Sequence, residues 1–232
     1  MAEGFADHVA GVAALAEPVR RDLYRYVVAS PEPVSRDQAA DGTGIARHTV
    51  KFHLDRLVEE GLLETESRRL GGRRGPGAGR PAKLYKRSDV ELSVTLPERH
   101  YDLAAGLMAR AIEESAQRSE PVVQALGSAA AEVGAALGDR VRAELDGRPS
   151  RERVVGATCT ALAGCGYEPR RDGIEVLLAN CPFHRLAREH TALVCGMNLS
   201  LVSELVTRGS DGRLTARLDP AEGRCCVTIG IA

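Results

Sequence analysis

Apolar positions along the first ninety residues alternate between helical and strand spacing in a fixed order. Ala6 to Leu15 is an apolar-rich helical stretch. A second helix is predicted over Glu17–Ser30, with Pro18 in its first turn, where a missing N–H costs little. Val19, Leu23, Tyr26 and Val27 repeat there at i, i+4, i+7 and i+8, which marks one buried face. Pro31-Glu32-Pro33 ends it. Ser35 then caps a short helix, with Gln38 completing a capping box, and Asp41-Gly42-Thr43-Gly44 turns the chain. An amphipathic helix follows from about Ala46 to Glu60, with Val50, Leu54, Leu57 and Val58 inward and Gly61 at its C-terminus. Strands are predicted at Leu62–Leu70 and Ala82–Arg87, separated by the loop GGRRGPGAGRP. Helix, glycine turn, amphipathic helix and basic hairpin predict a winged helix-turn-helix over residues 1–90.

From about Pro97 the pattern is helical again, in two Ala- and Leu-rich stretches broken at Ser119-Glu120-Pro121. Small residues at close spacing suit tight helix–helix contact. They either pair across a dimer or pack on their own domain, so residues 91–149 are expected to form a helical linker and dimerisation region. Asp146-Gly147-Arg148-Pro149-Ser150 marks the next boundary. Beyond it a helix (Arg151–Gly164), two strands joined through Asp172-Gly173, further helix to about residue 208, and strands Leu214–Leu218 and Cys225–Ile231 predict a small α+β sensor domain over 150–232. The expected fold class of the whole chain is α+β.

Charge changes this picture by its distribution. The formal net charge of the 232 residues is −1. Residues 1–88 nevertheless hold 15 Lys and Arg against 12 Asp and Glu, and the remainder 16 against 20. Between Ser67 and Ser88 eight basic residues occur with no acidic one, a run that is either a solvated face or a polyanion contact. Aromatic residues make up 3% and Trp is absent, which leaves little platform for stacking single-stranded bases. No apolar stretch is long enough to span a bilayer and no signal peptide is recognisable, so a cytoplasmic protein is expected. All six cysteines fall after residue 158, and in a reducing compartment disulfides do not account for them.

A helix that reads DNA needs donors near its N-terminus, opposite its apolar side. Arg47, His48, Thr49, Lys51, Phe52 and Arg56 are the candidates; arginine pairs with guanine, and Thr or Phe meets a thymine methyl. Arg73, Arg74, Arg80 and Lys83 on the wing suit phosphate or the minor groove, and Ser35 with the turn behind it offers N–H groups to a phosphate. His53 reads as a packed or phosphate-touching residue. The bland alternative is a polar face turned to water. IARHTVKFHLDRLVEEGLLE (45–64) followed by GRPAKLY (79–85) resembles the winged-helix regulators of the ArsR/MarR type. With the distal cysteines, the chain is similar to the Suf-operon repressor family of iron–sulfur-sensing regulators over nearly its whole length. That resemblance implies a homodimer on a double-stranded DNA operator, acting as a repressor. No Ser/His/Asp grouping, phosphate-binding glycine loop or paired-carboxylate pattern argues for an enzyme.

Cys181-Pro-Phe-His184, Cys195 and Cys225-Cys226 lie at the edges of three predicted elements that can converge in a compact domain. Small thiols filling a core are the competing reading, and it is the preferred one for Cys159 and Cys165. The family resemblance implies a [4Fe–4S] cluster on Cys181, Cys195 and Cys225 or Cys226, through the motifs NCP, VCG and the terminal cysteine. Here 29 residues separate Cys195 from Cys225, a longer gap than in the cyanobacterial members of that family. The fourth ligand is therefore open among His184, Cys226 and a carboxylate. Three cysteines and a histidine equally suit structural zinc. A thiol oxidoreductase using Cys225-Cys226 is disfavoured, because no CxxC motif accompanies them. His190 is expected to face solvent.

Overall fold

The structure, a computed structural model, describes residues 2–68 and 81–231. It divides into two compact units, Met1–Val94 and Thr95–Ala232.

The first unit contains α1 (Ala2–Ala14), α2 (Pro18–Ala29), β1 (Val34–Ser35), α3 (Arg36–Thr43), α4 (Arg47–Glu59), β2 (Leu63–Arg68) and β3 (Ala82–Arg87). Each start and stop has a local cause. The Glu17 carboxylate accepts the N–H groups of Val19 and Arg20 at the head of α2. Ser35 and Gln38 form the capping box of α3, Gly44 turns from α3 at φ 71°, and Gly61 follows α4 at φ 72°. β2 and β3 pair antiparallel from Leu63 opposite Arg87 to Arg68 opposite Ala82, and β1 adds to the far edge of β3. Leu23, Val27, Val34, Val50, Leu54, Leu57, Leu63 and Tyr85 close one core beneath α4. The wing loop, with Arg73, Arg74 and Arg80, lies outside the described residues.

The second unit contains α5 (Tyr101–Arg118), α6 (Val122–Ala143), α7 (Arg151–Ala163), β4 (Pro169–Asp172), β5 (Glu175–Leu178), α8 (His184–Glu189), α9 (Thr191–Ser210), β6 (Leu214–Leu218) and β7 (Val227–Ile231). Its sheet is antiparallel throughout in the order β4-β5-β7-β6. The expected separation of residues 91–149 from 150–232 is corrected here. Leu107, Leu126, Ala129 and Ala130 of α5 and α6 share one core with Leu201, Leu205, Val227 and Ile229. The segment at 146–150 is a short connection within that unit.

The small residues of α6 explain this. A Cβ on Gly134 would stand 2.0 Å from the Leu201 carbonyl oxygen, and one on Gly138 2.7 Å from that of Leu205. Backbone therefore packs on backbone between α6 and α9 within a single chain. Of the two uses open to this glycine-bearing face, the structure takes the intramolecular one.

Candidate nucleic-acid interface and cysteine pocket

α4 presents a row of side chains away from the core. The side chains of Arg47 and Lys51 are 65% and 62% exposed, and Phe52, an apolar residue with no core role, is 67% exposed. His48 and Arg56 are also exposed, and Thr49 is half-buried. This is the surface expected of a helix that enters a groove. A shallow depression of about 480 Å³ beside it is lined by Arg20, His48, Lys51, Phe52, Asp55, Arg56 and Glu59. Ser35 sits at the head of α3 as expected. Its hydroxyl accepts the Gln38 N–H, while the Gln38 side chain takes the Ser35 N–H. Those two donors are thus committed within the protein.

Several expected DNA contacts already have acidic partners. Arg47 lies 2.8 Å from Asp37, and Arg56 pairs with both Glu59 and Glu60. Lys83 of β3 lies 2.7 Å from Asp55 of α4, with Lys51 3.8 Å from the same carboxylate. Tyr85 donates its hydroxyl to Asp55 Oδ1 at 2.9 Å. Burial opposes the charge on Asp55. Hydrogen bonds from Lys83 and Tyr85, with the charges of Lys83 and Lys51, outweigh it and hold the carboxyl below its usual range. His53 is 13% exposed at its side chain and 3.7 Å from Glu17, which makes it a packed residue facing α2. The Lys51–Asp55 pair was legible as an i, i+4 spacing; Asp55 bridging to the wing strand was not.

In the second unit Cys181, Cys195, Cys225 and Cys226 line one pocket of about 510 Å³, together with His184, Arg99 and Arg224. Cys181 lies in the turn before α8, Cys195 in the first turns of α9, and Cys225 and Cys226 immediately before β7. Cys225 is influenced by its neighbours Cys181 and Cys226, and Cys226 also by Cys195. Among the described residues no group of three or more His, Cys, Asp or Glu is placed to hold a metal ion; the four thiols are spread along the pocket wall. His184 is exposed at its rim.

The Cys225 thiol is held below its usual range by the hydrogen bonds of Cys181 and Cys226, against burial, with help from the Val227 N–H and Asn198. Cys181 and Cys226 are pushed up, first by donating to Cys225 and then by burial. Three supports position these sulfurs. Arg99 bonds both Asn180 Oδ1 and the Cys181 carbonyl at 2.6 Å, and Asn180 donates to the Gly166 carbonyl at 2.6 Å, which fixes the NCP turn. Arg224 joins Asp219 at 2.7 Å and Thr228 at 2.8 Å across the loop bearing Cys225. Asn198, 1% exposed, accepts from Tyr167 and donates to Cys225 Sγ at 3.2 Å. Asn198 was missed from sequence, although a lone amide one turn after Cys195 in an apolar helix was the available signal. Cys159 and Cys165 are partly buried against the core, with burial raising both thiols.

Residues 15–66 match the family described as a helix-turn-helix domain. The matched stretch runs from the end of α1 to β2 and contains both helices of the motif. A domain of this kind suggests a DNA-binding transcription regulator. No curated protein and no solved structure matches the chain. Among the described residues no helix is long and apolar enough to cross a membrane.

Proposed function

We propose that the chain is a cytoplasmic, homodimeric, non-enzymatic transcription regulator, acting as a repressor, whose operator affinity is set by a [4Fe–4S] cluster on Cys181, Cys195, Cys225 and Cys226. The observation that carries the cofactor reading is the gathering of four cysteines from three separate segments on one pocket wall. The donor set fits. Thiolates are the ligands of iron–sulfur centres, and hydrogen bonds to sulfur set their potentials; the Phe183 and Val227 N–H groups and Asn198 supply such bonds here. Cys226 is our choice for the fourth ligand because it lines the same pocket as the other three cysteines, while His184 is exposed at the rim. When bound, such a cluster supplies one-electron chemistry and sensitivity to oxygen.

The DNA reading rests on the helix-turn-helix match and on the exposed row Arg47, His48, Lys51, Phe52 and Arg56. Dimers place two recognition helices one helical turn of DNA apart, and a change at the cysteine pocket acts if two arrangements of the dimer differ in operator affinity.

A structural zinc site is the second reading. Four thiols and His184 lining one pocket favour it, since structural zinc takes four Cys or His ligands at about 2.0–2.3 Å. Anaerobic purification, a visible spectrum and iron, sulfide and zinc analysis separate the two. A brown protein with iron and acid-labile sulfide is expected; a colourless protein with one zinc per chain replaces the cluster by the second reading. Equal affinity of apo and loaded protein for a duplex selected from a random pool would make the site structural only.

A further inference from the structure

The helix expected to meet DNA carries its own counter-charges, and one of them is held unlike the rest. The carboxylates facing Arg47 and Arg56 belong to half- or fully exposed side chains, apart from Glu60. Exposed ion pairs of that kind are worth little and re-form easily with another partner. Asp55 is pinned. Its Oδ1 accepts both Lys83 Nζ at 2.7 Å and the Tyr85 hydroxyl at 2.9 Å, and Tyr85 is only 2% exposed, fixed in the core of the first unit. Its other oxygen faces Lys51 at 3.8 Å. One fixed negative charge therefore sits between the recognition helix and the wing strand, opposing the two lysines that flank it.

We propose that Asp55 is a positioning residue acting as an internal competitor of DNA phosphate, holding down sequence-independent DNA affinity by engaging Lys51 and Lys83. The inference rests on the DNA-binding reading of the first unit and is independent of the cysteine pocket. Sequence-independent binding is almost wholly electrostatic, with about 0.9 counterion released per phosphate neutralised. A lysine that leaves Asp55 for phosphate releases a counterion from DNA, but it also exposes a carboxylate that recruits a cation or repels the phosphate. The net release is smaller than the number of lysines suggests. The Tyr85 hydroxyl keeps that carboxylate at the interface when its lysines turn to DNA.

Binding of the full-length protein to a random-sequence duplex, followed by fluorescence anisotropy from about 50 to 200 mM salt, tests this. Asp55→Asn is expected to bind roughly tenfold more tightly at the low-salt end and to steepen the log–log slope by about 1 per protomer. Asp55→Glu should stay near wild type. Tyr85→Phe should move the same way as Asp55→Asn by a smaller step. Lys83→Ala should flatten the slope by about 0.9 in the Asp55→Asn background and by clearly less in wild type. Unchanged affinity and slope for a folded Asp55→Asn protein overturns the inference. If that variant does not fold, a full flattening of about 0.9 by Lys83→Ala in the otherwise native chain overturns it equally. A wild-type protein that binds neither this duplex nor a selected one overturns the DNA-binding reading itself, a failure distinct from the others.

Discussion

The two units place their chemistry in opposite ways. In the first, the groups that matter stand on the outside of one continuous helix, α4, whose inner face is core. Their spacing is set by the helix repeat, and their partners lie on the same element or its immediate neighbours. In the second, the sulfurs come from three segments spread over residues 181–226 and lie buried or half-buried at the edge of a core that draws on both helices and strands of that unit. A surface site of the first kind tolerates change, because water and salt stand in for a lost partner. A buried site of the second kind does not, because each group depends on the packing that brings it there.

The sharpest contrast lies in the cysteines. Cys181→Ser or Cys195→Ser is expected to abolish metal or cluster loading entirely, and Cys159→Ser to leave it intact, read by metal content of protein purified without oxygen. Full loading of both variants would place the cofactor elsewhere and remove the second unit's half of the comparison. Packing gives the next largest effect. Gly134→Ala forces a methyl group onto the Leu201 carbonyl, and overpacking of that kind costs about 1–3 kcal/mol. A loss near the top of that range is expected in denaturant unfolding. Gly61→Ala in the first unit, strained by its φ of 72° but with open space around it, should cost about 1 kcal/mol. Equal losses at the two sites would mean that the α6–α9 contact is softer than its geometry implies.

At the recognition helix, Arg47→Ala should cost about 1–3 kcal/mol of discrimination between a selected duplex and its single-base variants. The same change should leave the thermal midpoint nearly unmoved, because an exposed pair with Asp37 contributes little. A large drop in midpoint would give Arg47 a structural role. The smallest effect concerns acid. The Asp55 carboxyl is lower in the fold than its usual range. Its stabilisation is therefore complete above the ordinary carboxylate value of about 3.9 and fades as pH falls through the lowered one. The stability difference between wild type and Asp55→Asn, less than about 1 kcal/mol near neutrality, should shrink in unfolding experiments below about pH 4. A difference constant down to pH 3 would mean that the charge on Asp55 adds nothing to the fold.

Sequence by itself determined where α2, α3 and α4 of the first unit start and stop to within a residue or two. The capping box at Ser35, the glycines at 44 and 61, and the apolar repeat Val50, Leu54 and Leu57 are local signals, each acting within one or two turns of chain. They suffice because helix ends and faces are decided locally. The strands of the second unit were legible for the same reason. Tertiary structure alone decided that α6 spends its glycine face on α9, since sequence shows small residues but not which helix they meet. It also decided that Asp55 faces Lys83 across an interval that includes the wing, and that Asn198 reaches the Cys225 sulfur. Those contacts depend on how separate elements dock, and no periodicity within one element encodes the position of another.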